Sequence, residues 1–232
     1  MIYETSDLIA VNKPSGILSV PDRFDDTKLS LYKYLRSKYG EVYTIHRLDK
    51  ETSGLILFAR NPVAHAYFSQ VFEQRKIIKT YFGIVNGSYP ATRGTINEPI
   101  AEYPNRKGVM MVSKKGKPST THFEVLEDFG IFSLMKFQME TGRTHQIRVH
   151  MKYLGHPLVA DTIYGDGKPV LVSSFKRKYR PSKEEERPLL NRLGLHSYQL
   201  TFQNPSGEQT MLQCELAKDM RALCQQLKKN RK

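Results

Sequence analysis

Long apolar runs are missing from this chain. No stretch approaches the roughly 20 consecutive apolar residues that a membrane span needs. The opening MIYETSDLIAV is acidic before it is apolar and does not read as a signal peptide. Cysteine is nearly absent. Cys214 and Cys224 are the two, without metal-ligand spacing and without any requirement to pair, which points to a reducing cytoplasm. Neither common type of Gly-rich phosphate loop occurs, so a nucleotide cofactor has no support in the sequence. Internal repeats and low-complexity tracts are also missing. Tryptophan is absent, which leaves 13 Tyr and 11 Phe to supply the aromatic residues. Acidic residues are outnumbered, 23 Asp and Glu against 36 Lys and Arg, for a formal net charge of +13 and a pI near 9.6. A domain this basic calls for an anionic partner, nucleic acid ahead of a membrane surface.

What is present is enough for a core. Of 232 residues, 39% are hydrophobic and 10% aromatic, which suits one large domain or two small ones. Leu8 to Asn12 reads as a buried strand ended by Pro14 and Gly16. Leu29, Tyr32, Leu35 and Tyr39 fall at helical spacing, with Gly40 as a stop. Val42 to Ile45 and Leu55 to Ala59 read as strands. Asn61-Pro62 starts a helix whose apolar stripe is Val63, Tyr67 and Val71. Ile78 to Val85 alternates like a strand. Phe123 to Leu126 and Ile131 to Met139 form a hairpin around Glu127-Asp128-Phe129-Gly130. Arg143 to Leu154 reads as a helix closed by Gly155. Two more strands, Leu195 to Phe202 and Thr210 to Leu216, precede a last helix, Asp219 to Lys229. Strands outnumber helices and short turns join many of them. The expectation is an α+β fold with a mixed, mostly antiparallel sheet. The stretch 175–188, FKRKYRPSKEEERP, reads as a long exposed loop.

Three stretches could carry chemistry. In HRLDKETSGLILFAR (46–60), Arg47 and Asp49 point to the same side of an extended segment, and Thr52-Ser53-Gly54 supplies a turn before an apolar strand. A carboxylate there is either an aimed catalytic group or a structural acceptor of turn hydrogen bonds. In GRTHQIRVHMKYLGHP (142–157), helical geometry puts Arg143, Ile147, His150, Met151 and Leu154 on one face. A buried arginine needs an anion, and Asp49 is the candidate. His145 and His150 are five apart, which argues for packing and hydrogen bonding rather than a metal site. In KTYFGIVNG (79–87), Lys79 and Tyr81 share one side of a strand, where a tyrosine can stack on a base or simply pack. Ser53 near His46 lacks the Gly-x-Ser-x-Gly elbow of a serine hydrolase.

Together these stretches resemble the RluA-type pseudouridine synthases. NKPSG (12–16), HRLDKETSGLILFA (46–59), KTYFGIVNG (79–87) and GRTHQIRVHMKYLGHPLVADTIYG (142–165) carry the likeness, with LHSYQLTFQNP (195–205) as a weaker fifth stretch. They occur in the family's order. The resemblance implies an enzyme that isomerises particular uridines in RNA, breaking the N-glycosidic bond and rejoining the ribose to C5 of the same base. No metal, nucleotide or organic cofactor is implied. It gives Asp49 the role of nucleophile, Arg143 that of its guanidinium partner, and Tyr81 that of the aromatic that packs on the base and helps remove the C5 proton. Arg47 would help displace the target nucleotide and touch phosphate, and Ile147 would lie under the base. His46, Lys79, Lys114 and Lys115 join them as RNA-binding candidates, the last two from SKKGKP (113–118). Attack at ribose C1′ and at uracil C6 both satisfy this chemistry.

The same resemblance implies a sheet flanked by helices with a central RNA-binding cleft. The catalytic domain is expected over 1–220, with 221–232 forming the end of the last helix and a basic tail, LKKNRK. Relatives often carry an extra N-terminal RNA-binding domain, and here the catalytic stretches begin almost at residue 1. The expected partner is ribosomal RNA, tRNA or both, with no membrane and no metal, and the expected state is a monomer in the cytoplasm. The reading that competes is an RNA-binding or RNA-folding module of the same fold without catalysis. A metal-dependent nuclease using the histidines and Asp49 is the third.

Overall fold

The computed structural model describes residues 1–176, 178–180 and 185–230. Parts of the 175–188 loop and of the LKKNRK end therefore lie outside the described residues. In chain order the first elements are β1 (Tyr3–Glu4), β2 (Leu8–Lys13), α1 (Leu31–Tyr39), β3 (Tyr43–Thr44), β4 (Ser53–Ala59), α2 (Pro62–Glu73) and β5 (Ile78–Asn86). They are followed by β6 (Arg93–Asn97), β7 (Ile100–Glu102), β8 (Met110–Val112), β9 (Thr120–Asp128), β10 (Phe132–Met139) and α3 (Gln146–Tyr153). The last are β11 (Leu195–Gln203), β12 (Gln209–Gln213) and α4 (Lys218–Asn230). The fold is α+β. Its sheet is mixed and mostly antiparallel, since β4 with β11 is the one parallel ladder among those described here. The chain divides into two compact units, Met1–Tyr81 with His196–Glu215, and Phe82–Leu195 with Leu216–Lys232.

In the first unit β4 lies between β2, antiparallel, and β11, parallel. All seven of its residues are buried, as the apolar run Leu55 to Ala59 requires. Leu55, Leu57 and Ala59 pack with Leu8, Ala10, Phe202 and one face of α2. That face is Ala64, Phe68 and Val71, not the expected Val63, Tyr67 and Val71, and Val63 is 80% exposed. Two local causes set the frame. Asn61 caps the helix by accepting the Ala64 N–H at 2.8 Å. Tyr67 stays at the rim, where its hydroxyl donates to the carbonyls of Gln203 and Asn204 at 3.1 and 3.0 Å. A similar shift marks α1. Ser30 is its cap, accepting the Lys33 N–H at 3.3 Å, so Leu29 falls outside the helix and Leu31 is buried in its stead, beside the expected Leu35.

The C-terminal end of α2 is closed by two hydrogen bonds. Arg75 N–H donates to Phe72 O at 3.1 Å and Lys76 N–H donates to Val71 O at 3.0 Å. This is the Schellman pattern, in which the residue after the cap is left-handed and usually glycine. Here it is Arg75, at φ 58°, a conformation that costs a residue bearing a Cβ about 1 kcal/mol.

In the second unit β9 lies between β6 and β10. The β9–β10 turn closes with Gly130 at φ 84° and its N–H donated to Asp128 Oδ1 at 2.7 Å. Met220, Leu223, Cys224 and Leu227 of α4 pack on Ile84, Phe129, Val159, Val170 and Leu190. The helix is thus one packed element on both sides of residue 220. α3 begins at Gln146, three residues later than expected. His145 is its cap, at φ 55°. Arg143 therefore precedes the helix and does not share its face with Ile147 and Met151. The cause is the Gln146 side chain, whose Oε1 accepts the Thr141 hydroxyl at 2.7 Å and the Arg143 N–H at 3.0 Å. Those bonds hold 141–145 as a turn.

Candidate active site

Asp49 stands in the loop between β3 and β4, half-buried, in a turn closed by Thr52 N–H donating to Asp49 O at 3.1 Å. Both neighbours are clamped. Ser19 Oγ accepts the Leu48 N–H at 3.0 Å and donates to Leu48 O at 2.8 Å. On the other side Lys50 O accepts the Gly16 N–H at 2.9 Å, and Glu51 O accepts the Ser15 hydroxyl at 2.6 Å. Lys13, fully buried at the end of β2, ties the pieces together. Its ammonium donates to the carbonyls of Pro14, Ile17 and Lys50 at 3.0, 2.7 and 2.9 Å. An ammonium has three donors, and here three backbone carbonyls take them. NKPSG is thus the cradle of the Asp49 loop. Nothing in the local sequence gives Lys13 this role, because a lone lysine reads as surface.

The Thr-Ser-Gly that follows is a packing device. Gly54 has φ 109°, and a Cβ there would lie 2.2 Å from the backbone oxygen of Ser197. That close approach lets β4 and β11 pair in parallel at Ser197 and Gly54. Ser53 Oγ lies 2.9 Å from His196 Nδ1, and Ser197 Oγ donates to Leu55 O at 2.9 Å. Both serines serve the junction that carries Asp49.

Tyr81 is buried, with 6% of its surface exposed. Burial, then the neighbouring Asp49 carboxylate, pushes its hydroxyl well above the usual tyrosine value, against an opposing hydrogen bond with Ser197. His46 stacks on Phe72, with ring centroids 4.5 Å apart, and its Nε2 accepts the Leu57 N–H at 3.1 Å. The titrating nitrogen is therefore turned inward. Burial, and then the Lys79 cation, pushes its pKa down to about 3, so the ring is neutral. Through the stack and the Leu57 bond His46 is tied to α2 and β4. Lys79 is half-buried and its pKa is lowered, by burial first and by Arg75 second. Arg47 is exposed. The first unit thus brings together Asp49 and Tyr81, and beside them His46 and Lys79.

Arg143, Ile147, Lys114 and Lys115 belong to the second unit. Arg143 is half-buried, and its Nε donates to Pro118 O at 3.2 Å. Pro118 ends the turn that exposes Lys114 and Lys115, closed by Gly116 N–H donating to Ser113 O at 2.8 Å. The expected RNA-facing turn and Arg143 are therefore joined directly. Ile147 is buried, at 3% exposure. The buried arginine of this region is Arg148, not Arg143, and its anion is Asp161. Arg148 Nε and Nη2 each donate to a different Asp161 oxygen at 2.8 Å. Burial alone would raise the Asp161 pKa. Arg148 and the N–H groups of Tyr164 and Ile163 more than offset that and hold it below the ordinary carboxylate value. His145 Nδ1 lies 2.8 Å from the Tyr164 hydroxyl, and His150 bonds Thr121 Oγ1 and Glu98 O at 2.9 and 3.0 Å. Among the described residues no group of three or more His, Cys, Asp or Glu could hold a metal ion, and no helix is long and apolar enough to cross a membrane.

Comparison with known proteins bears on this arrangement. Residues 7–153 match the family model described as RNA pseudouridylate synthase. The ribosomal large subunit pseudouridine synthase D of Buchnera aphidicola is 38% identical over 216 residues, spanning 91% of this chain and 67% of that protein. The dual-specificity RNA pseudouridine synthase RluA of Vibrio vulnificus is 37% identical over 213 residues, 89% of this chain and 78% of that one. Among solved structures, human RNA pseudouridylate synthase domain containing 1 superposes with a TM-score of 0.71 at 28% identity, covering 98% of this chain and 93% of its own.

Proposed function

The chain belongs to the RNA pseudouridylate synthase family, in its RluA branch, and from that premise we propose that it isomerises particular uridines of ribosomal RNA, tRNA or both, with Asp49 as nucleophile and without a cofactor. The observation that supports this reading best is the mounting of Asp49. Its loop is clamped at Leu48 by Ser19, at Lys50 by Lys13 and at Glu51 by Ser15, with the buried Tyr81 hydroxyl beside the carboxylate. A carboxylate held this way is aimed before substrate arrives.

The reaction is internally balanced. The N1–C1′ bond breaks, the uracil turns, a C5–C1′ bond forms, the C5 proton leaves and N1 gains a proton. The target base must first leave its stack, at a cost of a few kcal/mol. Basic contacts to the backbone and an aromatic face for the base offset that cost. Tyr81 is the aromatic in this reading. Arg143 completes the catalytic set in the role the resemblance gives it. Arg47, Lys79, Lys114 and Lys115 hold phosphates, and Ile147 lies under the base.

The test compares total RNA from cells lacking the gene with RNA from the same cells carrying wild type or Asp49→Ala, by carbodiimide mapping of pseudouridine across rRNA and tRNA. Wild type restores particular sites and Asp49→Ala restores none, while binding RNA as wild type does. Near wild-type turnover by Asp49→Ala would remove the nucleophile assignment. A wild-type protein that binds RNA and modifies nothing would leave the RNA-binding module in its place.

A further inference from the structure

The C-terminal end of α2 places an arginine where the backbone favours glycine, and that arginine faces another cation. Arg75 occupies the left-handed position of the Schellman closure at φ 58°. A conformational outlier of this kind points to a use for the side chain. Arg75 and Lys76 are exposed and Lys79 is half-buried. Arg75 lies close enough to Lys79 to disfavour its charge. No carboxylate is among the groups acting on Lys79, and among the described residues none pairs with Arg75, Lys76 or Lys79. Arg75 and Lys79 thus lie close together, with the exposed Lys76 next in the chain, and among the described residues no acid pairs with any of the three.

Their position ties them to the Asp49 segment. Phe72, three residues before Arg75, stacks on His46 at 4.5 Å, and His46 precedes Arg47 in the chain. Lys79 stands two residues before Tyr81 on β5, a rise of about 7 Å. Helix-end carbonyls also attract cations. The last turn of α2, where that attraction is strongest, holds no basic residue.

We propose that Arg75, with Lys76 and Lys79, forms a phosphate-binding corner at the end of α2 that grips the RNA backbone next to the target uridine. The proposal rests on the reading of the chain as a uridine isomerase acting on RNA. The corner supplies grip and local register. It does no chemistry.

The test uses the full chain, a tRNA transcript and a fragment of 23S rRNA. Arg75→Gly relieves the left-handed backbone and removes one of two repelling cations. Its melting temperature should stay level or rise while its RNA affinity falls, about five- to eightfold at 0.1 M salt. The slope of log affinity against log salt should shrink by about 0.7 to 0.9, and the loss of activity should appear in KM. Lys79→Gln should behave alike in binding. Lys218→Gln, an equal loss of charge on α4, should leave binding at the wild-type value. Unchanged affinity in Arg75→Gly, or an equal loss in Lys218→Gln, overturns the proposal. If Arg75→Gly loses both stability and binding, Arg75→Lys decides. Recovery of affinity supports the corner, and continued loss makes Arg75 a structural residue only. Asp49→Ala measured alongside keeps the two readings apart, since it should bind tightly and modify nothing.

Discussion

Tyr81 is not a standing base. Burial and the Asp49 carboxylate keep its hydroxyl protonated at neutral pH, so it can take the C5 proton only if its own proton moves first. Tyr81→Phe keeps the buried ring and removes the hydroxyl. Single-turnover rates should fall by about a hundredfold or more, with RNA binding in a filter assay little changed. An equal rate would make Tyr81 a stacking surface alone. His46 makes a prediction of opposite character, about stability. Its folded pKa of about 3 lies below its ordinary 6.5. As pH falls the unfolded chain takes up the proton first, so stability is full above about 6.5 and is lost between there and about 3. Allowing for the ring's partial exposure, the loss from pH 6.5 to 5 is about 1 kcal/mol. The buried His150 acts in the same direction. Urea midpoints at pH 7 and pH 5 should therefore differ less in His46→Phe than in wild type, and an identical difference would remove His46 from the account. At this scale Asp49, Tyr81 and Lys79 were named through the resemblance, whose motifs are short and local, and the structure sets all three in the first unit. Lys13 was invisible, since its three acceptors are carbonyls from two separate loops.

Elements were legible in kind and less so in frame. Every strand expected around the site is present, because a run as short as Leu55 to Ala59 favours a strand over a helix and is buried whole between two neighbours. The helix α2 starts where expected, at Asn61-Pro62, but turns Phe68 rather than Tyr67 inward. The starts of α1 and α3 fall later than expected because side-chain bonds outweighed apolar spacing, and Gln146 delays α3 so that Arg143 falls in the preceding turn. The partner of Arg148 was unreadable for a related reason. Asp161 lies beyond the end of α3, and nothing in helical spacing pairs them. Removing one member of a buried ion pair costs about 3–5 kcal/mol, so Arg148→Met should lower stability by that order. Arg148→Met with Asp161→Leu should recover part of it, as a thermal melt would show. The β4–β11 junction is less forgiving still. Gly54→Ala sets a Cβ against the Ser197 carbonyl at 2.2 Å and at φ 109°, so one strand must move. The expected cost is about 3 kcal/mol or more, with turnover falling further than stability because the Asp49 loop hangs on that strand.

For the whole molecule, the net charge of +13 was the first clue and remains the broadest. Several of the cations are neutralised within the protein. Lys28, Lys33, Arg60, Lys136, Arg192 and Lys228 pair with carboxylates on the surface, and Arg148 pairs inside. Among the described residues Arg47, Lys79, Lys114 and Lys115 have no such partner. The electrostatic reading therefore predicts a graded response rather than a uniform one. Log affinity for structured RNA should fall linearly with log salt, by about 0.9 for each duplex phosphate contacted. Neutralising Lys114 and Lys115 together should flatten the line by up to about 1.8. Neutralising Lys28 or Lys136, whose charges are already met by Asp22 and Glu124, should leave the slope nearly where it was. Titrations at four or five salt concentrations separate the outcomes. If the slope depends only on how many lysines are lost, binding follows bulk charge. If it depends on which ones, the unpaired cations are the RNA-facing surface.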